Sequence, residues 1–134
     1  MLAVDLCFQD FENELKELPG RYAHPDGDLL VGLMDGKVMG CVAVRKLVGE
    51  CCEMKRLYVR PESRGKGMGK QLAKTIISRS RELGYTRMRL DTLGRLTEAM
   101  SLYEQLGFKK IDAYYDNPLA DVVYWELDLS SLAD

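Results

Sequence analysis

Three glycines alternate with longer side chains in the stretch Arg64-Gly65-Lys66-Gly67-Met68-Gly69-Lys70. An apolar, strand-like run, Cys51–Val59, precedes it, and Met68, Leu72, Ile76 and Ile77 follow at helical spacing. The chain must therefore pass from a strand into a helix through backbone that carries little bulk. Glycine there lets N–H groups face outward, and the helix adds the positive end of its dipole. Such a turn is a ready anion site, and the phosphates of a cofactor are its natural occupant. Three patterns compete for it. A phosphate-binding P-loop places glycine where Arg64 stands and Ser or Thr where Gln71 stands, so that pattern fails. A dinucleotide fingerprint is only partly met, because the glycines give GxGxG with Lys70 in the last position, although Asp91 lies at a tolerable ribose-binding distance. A basic, solvated turn with no ligand is the third.

The remaining segments supply the frame. Residues 29–34 and 37–46 are alternating strand-like runs around Asp35-Gly36, a strong hairpin signal, and Val48-Gly49-Glu50 turns the chain into the next strand. Asp10 can cap a short helix with Phe11, Leu15 and Leu18 on one face, stopped by Pro19-Gly20, and Pro25-Asp26-Gly27 reads as a turn. The helix after the glycines is expected over about 67–83, with Gly84 beyond its end. A strand over 86–91 follows, then a helix capped by Thr97 and closed by Gly107. Strands over 109–113 and 122–129 flank an Asp116-Asn117-Pro118 turn. The order α-β-β-β-α-β-α-β-β describes one mixed-sheet α/β domain over residues 1–134.

With 134 residues, 46% hydrophobic and 30% charged, such a chain buries roughly two-thirds of its unfolded surface. A net charge of −2 argues against bulk binding to nucleic acid or an anionic membrane. Cys7, Cys41, Cys51 and Cys52 have no CxxC spacing, and with His24 as the single histidine a metal site is not expected. Reduced cysteines fit a cytoplasmic protein. The first eight residues lack a signal peptide's basic start, and no apolar run approaches the ~20 residues that span a bilayer.

Two motifs carry a resemblance. Arg64-x-x-Gly67-x-Gly69 matches the [RQ]xxGx[GA] element of the acyl-CoA N-acyltransferase superfamily, usually called GNAT, and Leu57-Tyr58-Val59-Arg60-Pro61 resembles that family's strand-to-loop segment. Leu102-Tyr103-Glu104-Gln105-Leu106-Gly107-Phe108 resembles its second motif, LYxxxGF. The order of elements fits as well, so the resemblance covers nearly the whole chain. It implies a mixed, mostly antiparallel twisted sheet of about six strands flanked by helices, and acetyl-CoA as acyl donor.

The resemblance also assigns roles. Backbone amides of Gly65, Lys66, Gly67, Met68, Gly69 and Lys70, with Arg64 beside them, would hold the CoA pyrophosphate. The pantetheine arm would pair with the edge of Leu57, Tyr58 and Val59, and the Leu57 N–H would polarise the thioester carbonyl. Tyr103 matches the tyrosine that protonates the departing thiolate, and Glu53 the glutamate that serves as general base in the histone-acetylating branch. Each has a plainer reading, Tyr103 as core aromatic and Glu53 as surface charge. Tyr114 and Tyr115 would border the acceptor site, where Asp112, Asp116 and Asp121 suit a cationic amine. Cys41, Cys51 and Cys52 read as small hydrophobes, which favours direct transfer in a ternary complex over a cysteine-linked intermediate.

Two departures stand out. The family's usual first strand and helix are expected to be missing, which would leave residues 29–34 at a sheet edge open to a second copy in a homodimer or to residues 1–8. Leu96 stands where many members carry an asparagine that contacts the cofactor. The expected activity is acetyl transfer to a primary amine of a small molecule or peptide. The alternative is a non-catalytic acyl-CoA-binding or regulatory module.

Overall fold

A computed structural model describes residues 26–116 and 121–130. The expected helix over residues 10–18, the possible covering role of residues 1–8 and the Asn117-Pro118 part of the last turn lie outside these residues.

Strands β1 (Asp28–Met34) and β2 (Lys37–Val48) form the expected hairpin. Asp35 and Gly36 both take positive φ, 52° and 78°, the two-residue turn whose twist matches its strands. After Gly49, β3 (Cys51–Val59) completes an antiparallel meander. Helix α1 (Met68–Glu82) ends before Gly84, whose φ of 98° closes it, and leads into β4 (Arg87–Leu93). Helix α2 (Thr97–Gln105), β5 (Lys109–Ile111) and β6 (Val122–Asp128) follow. The six strands lie in the order β1-β2-β3-β4-β6-β5, and every adjacent pair is antiparallel except β3 with β4. The mixed, mostly antiparallel sheet is as expected.

Three details differ from the sequence reading. Thr97 does not cap α2: Leu96 holds the cap position without a side-chain hydrogen bond, because the first helical turn closes from the Met100 amide to the Leu96 carbonyl. β4 runs two residues further, to Leu93, along β6. β5 stops at Ile111, where the chain leaves the sheet and brings Tyr114 and Tyr115 over the strands.

The sheet has two unlike faces. On one, α1 and α2 bury Leu72, Ile76 and Tyr103 against Val44, Met54, Met88, Leu90 and Trp125. Gly32 and Gly40 pair across β1 and β2, and Met68 lies in the gap they leave. A Cβ on either glycine would sit 2.9 Å from its sulfur, so the start of α1 is seated on the sheet. The opposite face carries charge: Arg45, Glu53, Lys55, Arg89, Asp91 and Glu126 alternate with the core residues of their strands.

Candidate active site

The glycine turn is built as the sequence reading requires. β3 ends at Val59, a short 3-10 turn spans Pro61–Ser63, and Gly65 and Gly67 take φ of 79° and 84°. Those values disfavour any other residue. Gly67 caps α1 with no side-chain hydrogen bond, so the first-turn amides of Met68, Gly69 and Lys70 have neither a side-chain cap nor an acceptor within the helix. The space before Gly65 and Gly67 is open, with nothing within 4 Å of a would-be Cβ. Arg64 folds back instead of reaching forward. Its Nε donates to the Val59 carbonyl at 2.9 Å and its guanidinium lies 5.6 Å from the centre of the Tyr58 ring. It clamps the turn to the strand end.

Two neighbouring cavities lie between this turn and β4. A cavity of about 270 Å³ is lined by Val59, Gly65, Gly67, Gly69, Lys70 and Leu102, and one of about 330 Å³ by Met54, Leu57, Asp91, Leu93, Leu96 and Tyr103. Ala99 of α2 borders both. Lys66 turns away, toward a larger cavity of about 710 Å³ beneath the β1–β2 hairpin, which contains none of the expected acid or base residues.

The second cavity exists because two parallel strands part. β3 and β4 pair only from Cys51 with Arg87 to Glu53 with Arg89, and beyond that register they separate. A bulge re-aims β3 at the same level: between the pairs Ala43–Lys55 and Cys41–Tyr58, β3 carries two residues, Arg56 and Leu57, against the single Val42 of β2. Arg56 takes φ of 63°, strained for a side-chain-bearing residue, and its carbonyl accepts the Cys41 thiol at 2.9 Å. Leu57 is thus left out of the regular ladder with β2 and lines the cleft.

Tyr103 reaches the inner end from α2. Its ring packs edge-on to Phe108 and tilted against Trp125, at 5.6 and 6.1 Å between centres. Burial, assisted by the charge of Asp91, pushes its phenol from 10.0 up to about 12. Core aromatic and cleft-lining phenol are the same residue.

Glu53 is not a surface charge; it is 1% exposed. Its Oε1 accepts from Arg45 at 2.7 and 2.9 Å, and its Oε2 takes the Tyr114 hydroxyl at 2.7 Å with the Lys55 ammonium 3.6 Å away. Burial, then the bond to Glu53, pushes the Tyr114 phenol well above its ordinary range. Tyr115 donates to Asp91, and Tyr114, Tyr115 and Tyr124 pack edge-to-face with centres 5.3–5.5 Å apart. The two expected acceptor-site tyrosines thus meet β3 and β4 where these strands separate. Asp121 serves the backbone: its carbonyl and Oδ2 accept the Gly94 and Arg95 amides, each at 3.0 Å. Burial pushes the Cys52 thiol up to about 12 and raises Cys51, so both remain thiols at neutral pH.

Lys55, Arg45 and the bulge at Arg56 were not legible as site features, and Asp91 stood out only for its ribose-binding distance in the dinucleotide pattern. The available signal was register: once Glu53 stands beside Arg89, Lys55 and Asp91 must face each other across the split. No helix among the described residues is long and apolar enough to cross a membrane.

Comparison with known proteins gives the family and the fold. The acetyltransferase (GNAT) family model matches residues 3–108. An uncharacterized N-acetyltransferase of Schizosaccharomyces pombe is 49% identical over 129 residues, covering 95% of this chain and 79% of that protein. Among solved structures, the PaiA N-acetyltransferase of Thermoplasma acidophilum in complex with coenzyme A superposes with a TM-score of 0.73 at 23% identity, covering 87% of this chain and 70% of that one. A Salmonella typhimurium structure solved with its cofactor acetyl-CoA gives a TM-score of 0.69 at 23% identity, covering 92% and 73%. At these identities the structures speak for the fold.

Proposed function

The chain belongs to the acetyltransferase (GNAT) family, and on that premise we propose that it transfers the acetyl group of acetyl-CoA to a primary amine of a small molecule or peptide by direct attack within a ternary complex. One observation carries this reading. A turn of uncapped amides adjoins two neighbouring cavities that reach to where β3 and β4 part, with the Tyr103 phenol at that end.

The residues fit the donor. Amides of Gly65 through Lys70 and the open space before Gly65 and Gly67 suit a pyrophosphate, which needs several donors without bulk. The edge of Leu57–Val59, freed from β4, suits the amide-bearing pantetheine arm. The bulge leaves Leu57 out of the β2 ladder beside the cleft, where its N–H would stabilise charge on the thioester oxygen. Such a donor lowers a barrier by about 3–4 kcal/mol. Acetyl-CoA supplies the activated acyl group.

Tyr103 remains a phenol across the neutral range and hands its proton to the departing thiolate. Glu53 works at one remove. With both oxygens engaged, it holds Tyr114 and Lys55 in place instead of meeting the amine. Tyr114 and Tyr115 border the acceptor. The exposed Val31 and Leu33 of β1, an edge strand among the described residues, support pairing with a second copy, which sedimentation would detect.

The test is free-thiol release from acetyl-CoA across alkylamines, arylalkylamines, amino acids, aminoglycosides and lysine peptides. Amine-dependent release with one N-acetyl product per thiol is expected. Tight acetyl-CoA binding with no amine-stimulated release would favour the non-catalytic module.

A further inference from the structure

We propose that Asp91 is the group that meets the acceptor's ammonium and takes its proton; the assignment rests on the acetyl-transfer reading above. Asp91 occupies the first outward-facing position of β4 beyond the last parallel pair, Glu53 with Arg89. It lines the same cavity as Leu57 and Tyr103. Its side chain stands on the sheet face opposite the helices, across from Lys55, and its charge is felt by the Tyr103 phenol. It therefore sits where an acceptor arriving from the charged face would reach a donor lying along the helix face.

Comparison with Glu53 decides between the two carboxylates. Glu53 is sealed, with a side chain 2% exposed and three side chains, Arg45, Tyr114 and Lys55, on its two oxygens. The Asp91 side chain is 22% exposed. Its contacts fall on one oxygen: Oδ2 takes the Tyr115 hydroxyl and lies 3.9 Å from the Lys55 ammonium. Among the described residues Oδ1 has no hydrogen-bond partner. One oxygen is held to fix the carboxylate, and the other is left to receive. Lys55, 3.6 Å from Glu53 and 3.9 Å from Asp91, already shows that a cation is accommodated between these acids.

The proton count closes with these residues. The ammonium gives one proton to Asp91, which later releases it to water, the net proton of the reaction. The neutral nitrogen forms its bond to the acyl carbon as the C–S bond breaks. The thiolate takes the Tyr103 proton, and the second proton lost by nitrogen restores the phenol.

S-(2-aminoethyl)-CoA tests the assignment without knowledge of the natural acceptor, because it carries an ammonium just beyond the sulfur; S-propyl-CoA is its uncharged counterpart. By calorimetry the wild-type chain should prefer the aminoethyl analogue by about tenfold, the scale of a charge-assisted hydrogen bond. Asp91→Asn should bind S-propyl-CoA as the wild type does and lose the preference, while Asp91→Glu keeps part of it. Should Asp91→Asn lose S-propyl-CoA as well, Asp91→Ser replaces it in the comparison. Absence of the preference in the wild type, or its survival in the Asn and Ser variants, overturns the proposal. If the wild type binds neither analogue nor CoA, the acetyl-CoA reading itself falls.

Discussion

The two ends of the cleft are made of different material. At the proposed donor end the material is main chain: positive-φ glycines, an uncapped helix start and an arginine that clamps the turn. At the proposed acceptor end it is side chain: Arg45, Glu53, Lys55 and Asp91 from three strands, met by tyrosines from the β5–β6 connection. A main-chain site depends on a short run of sequence and tolerates little change. A side-chain site depends on strand register and can be rebuilt by substitution, which is where acceptor choice can vary on a common fold.

The largest expected effect breaks the donor end alone. Gly67→Asp puts a carboxylate and a strained φ into the anion site, and acetyl-CoA affinity measured by calorimetry should fall by roughly 100-fold or more. Unchanged affinity would place the donor elsewhere. Tyr103→Phe acts where the ends meet. Turnover should fall about 100-fold while acetyl-CoA affinity stays within a factor of about two. An equal loss in both would make Tyr103 a binding residue.

Tyr103 also links the site to stability. Its phenol is raised by burial from 10.0 to about 12, so the folded state holds that proton more tightly than the unfolded chain. This contribution is complete below pH 10 and disappears as pH rises through about 12, a loss of about 2–3 kcal/mol. Cys52, also raised to about 12, adds a loss of the same sign from pH 9 upward. Denaturant unfolding from pH 8 to 12 should therefore decline less steeply in Tyr103→Phe than in the wild type; identical slopes would mean that the phenol does not titrate with folding. The smallest effect sharpens the anchoring of the donor end. Gly40→Ala crowds Met68, Leu72 and the Tyr58 carbonyl and should cost about 1–3 kcal/mol, read as a fall in melting temperature. No fall would mean that these neighbours give way freely.

Legibility in the sequence followed the same division. The glycine spacing, the Asp35-Gly36 hairpin and the Tyr103 motif are local signals, and each stands where the sequence reading put it. Thr97 was misread as a cap because cap chemistry alone does not say which carbonyl closes the first turn. The acceptor end needed long-range information. Glu53 became an enclosed ion-pair residue only through its register with Arg45 on β2, and Asp91 a cleft residue only through the parting of β3 and β4. The bulge at Arg56 was invisible, since nothing in Lys55-Arg56-Leu57 marks a positive φ.

The central claim is that acetyl-CoA lies along the helix face, from the glycine turn to the split between β3 and β4. Amide hydrogen exchange with and without acetyl-CoA tests it directly. Protection of the amides of Gly65 through Lys70 together with Leu57, and none around the Lys37 and Arg60 cavity beneath the hairpin, is the expected result. Protection of the hairpin cavity with Leu57 unaffected would contradict the account.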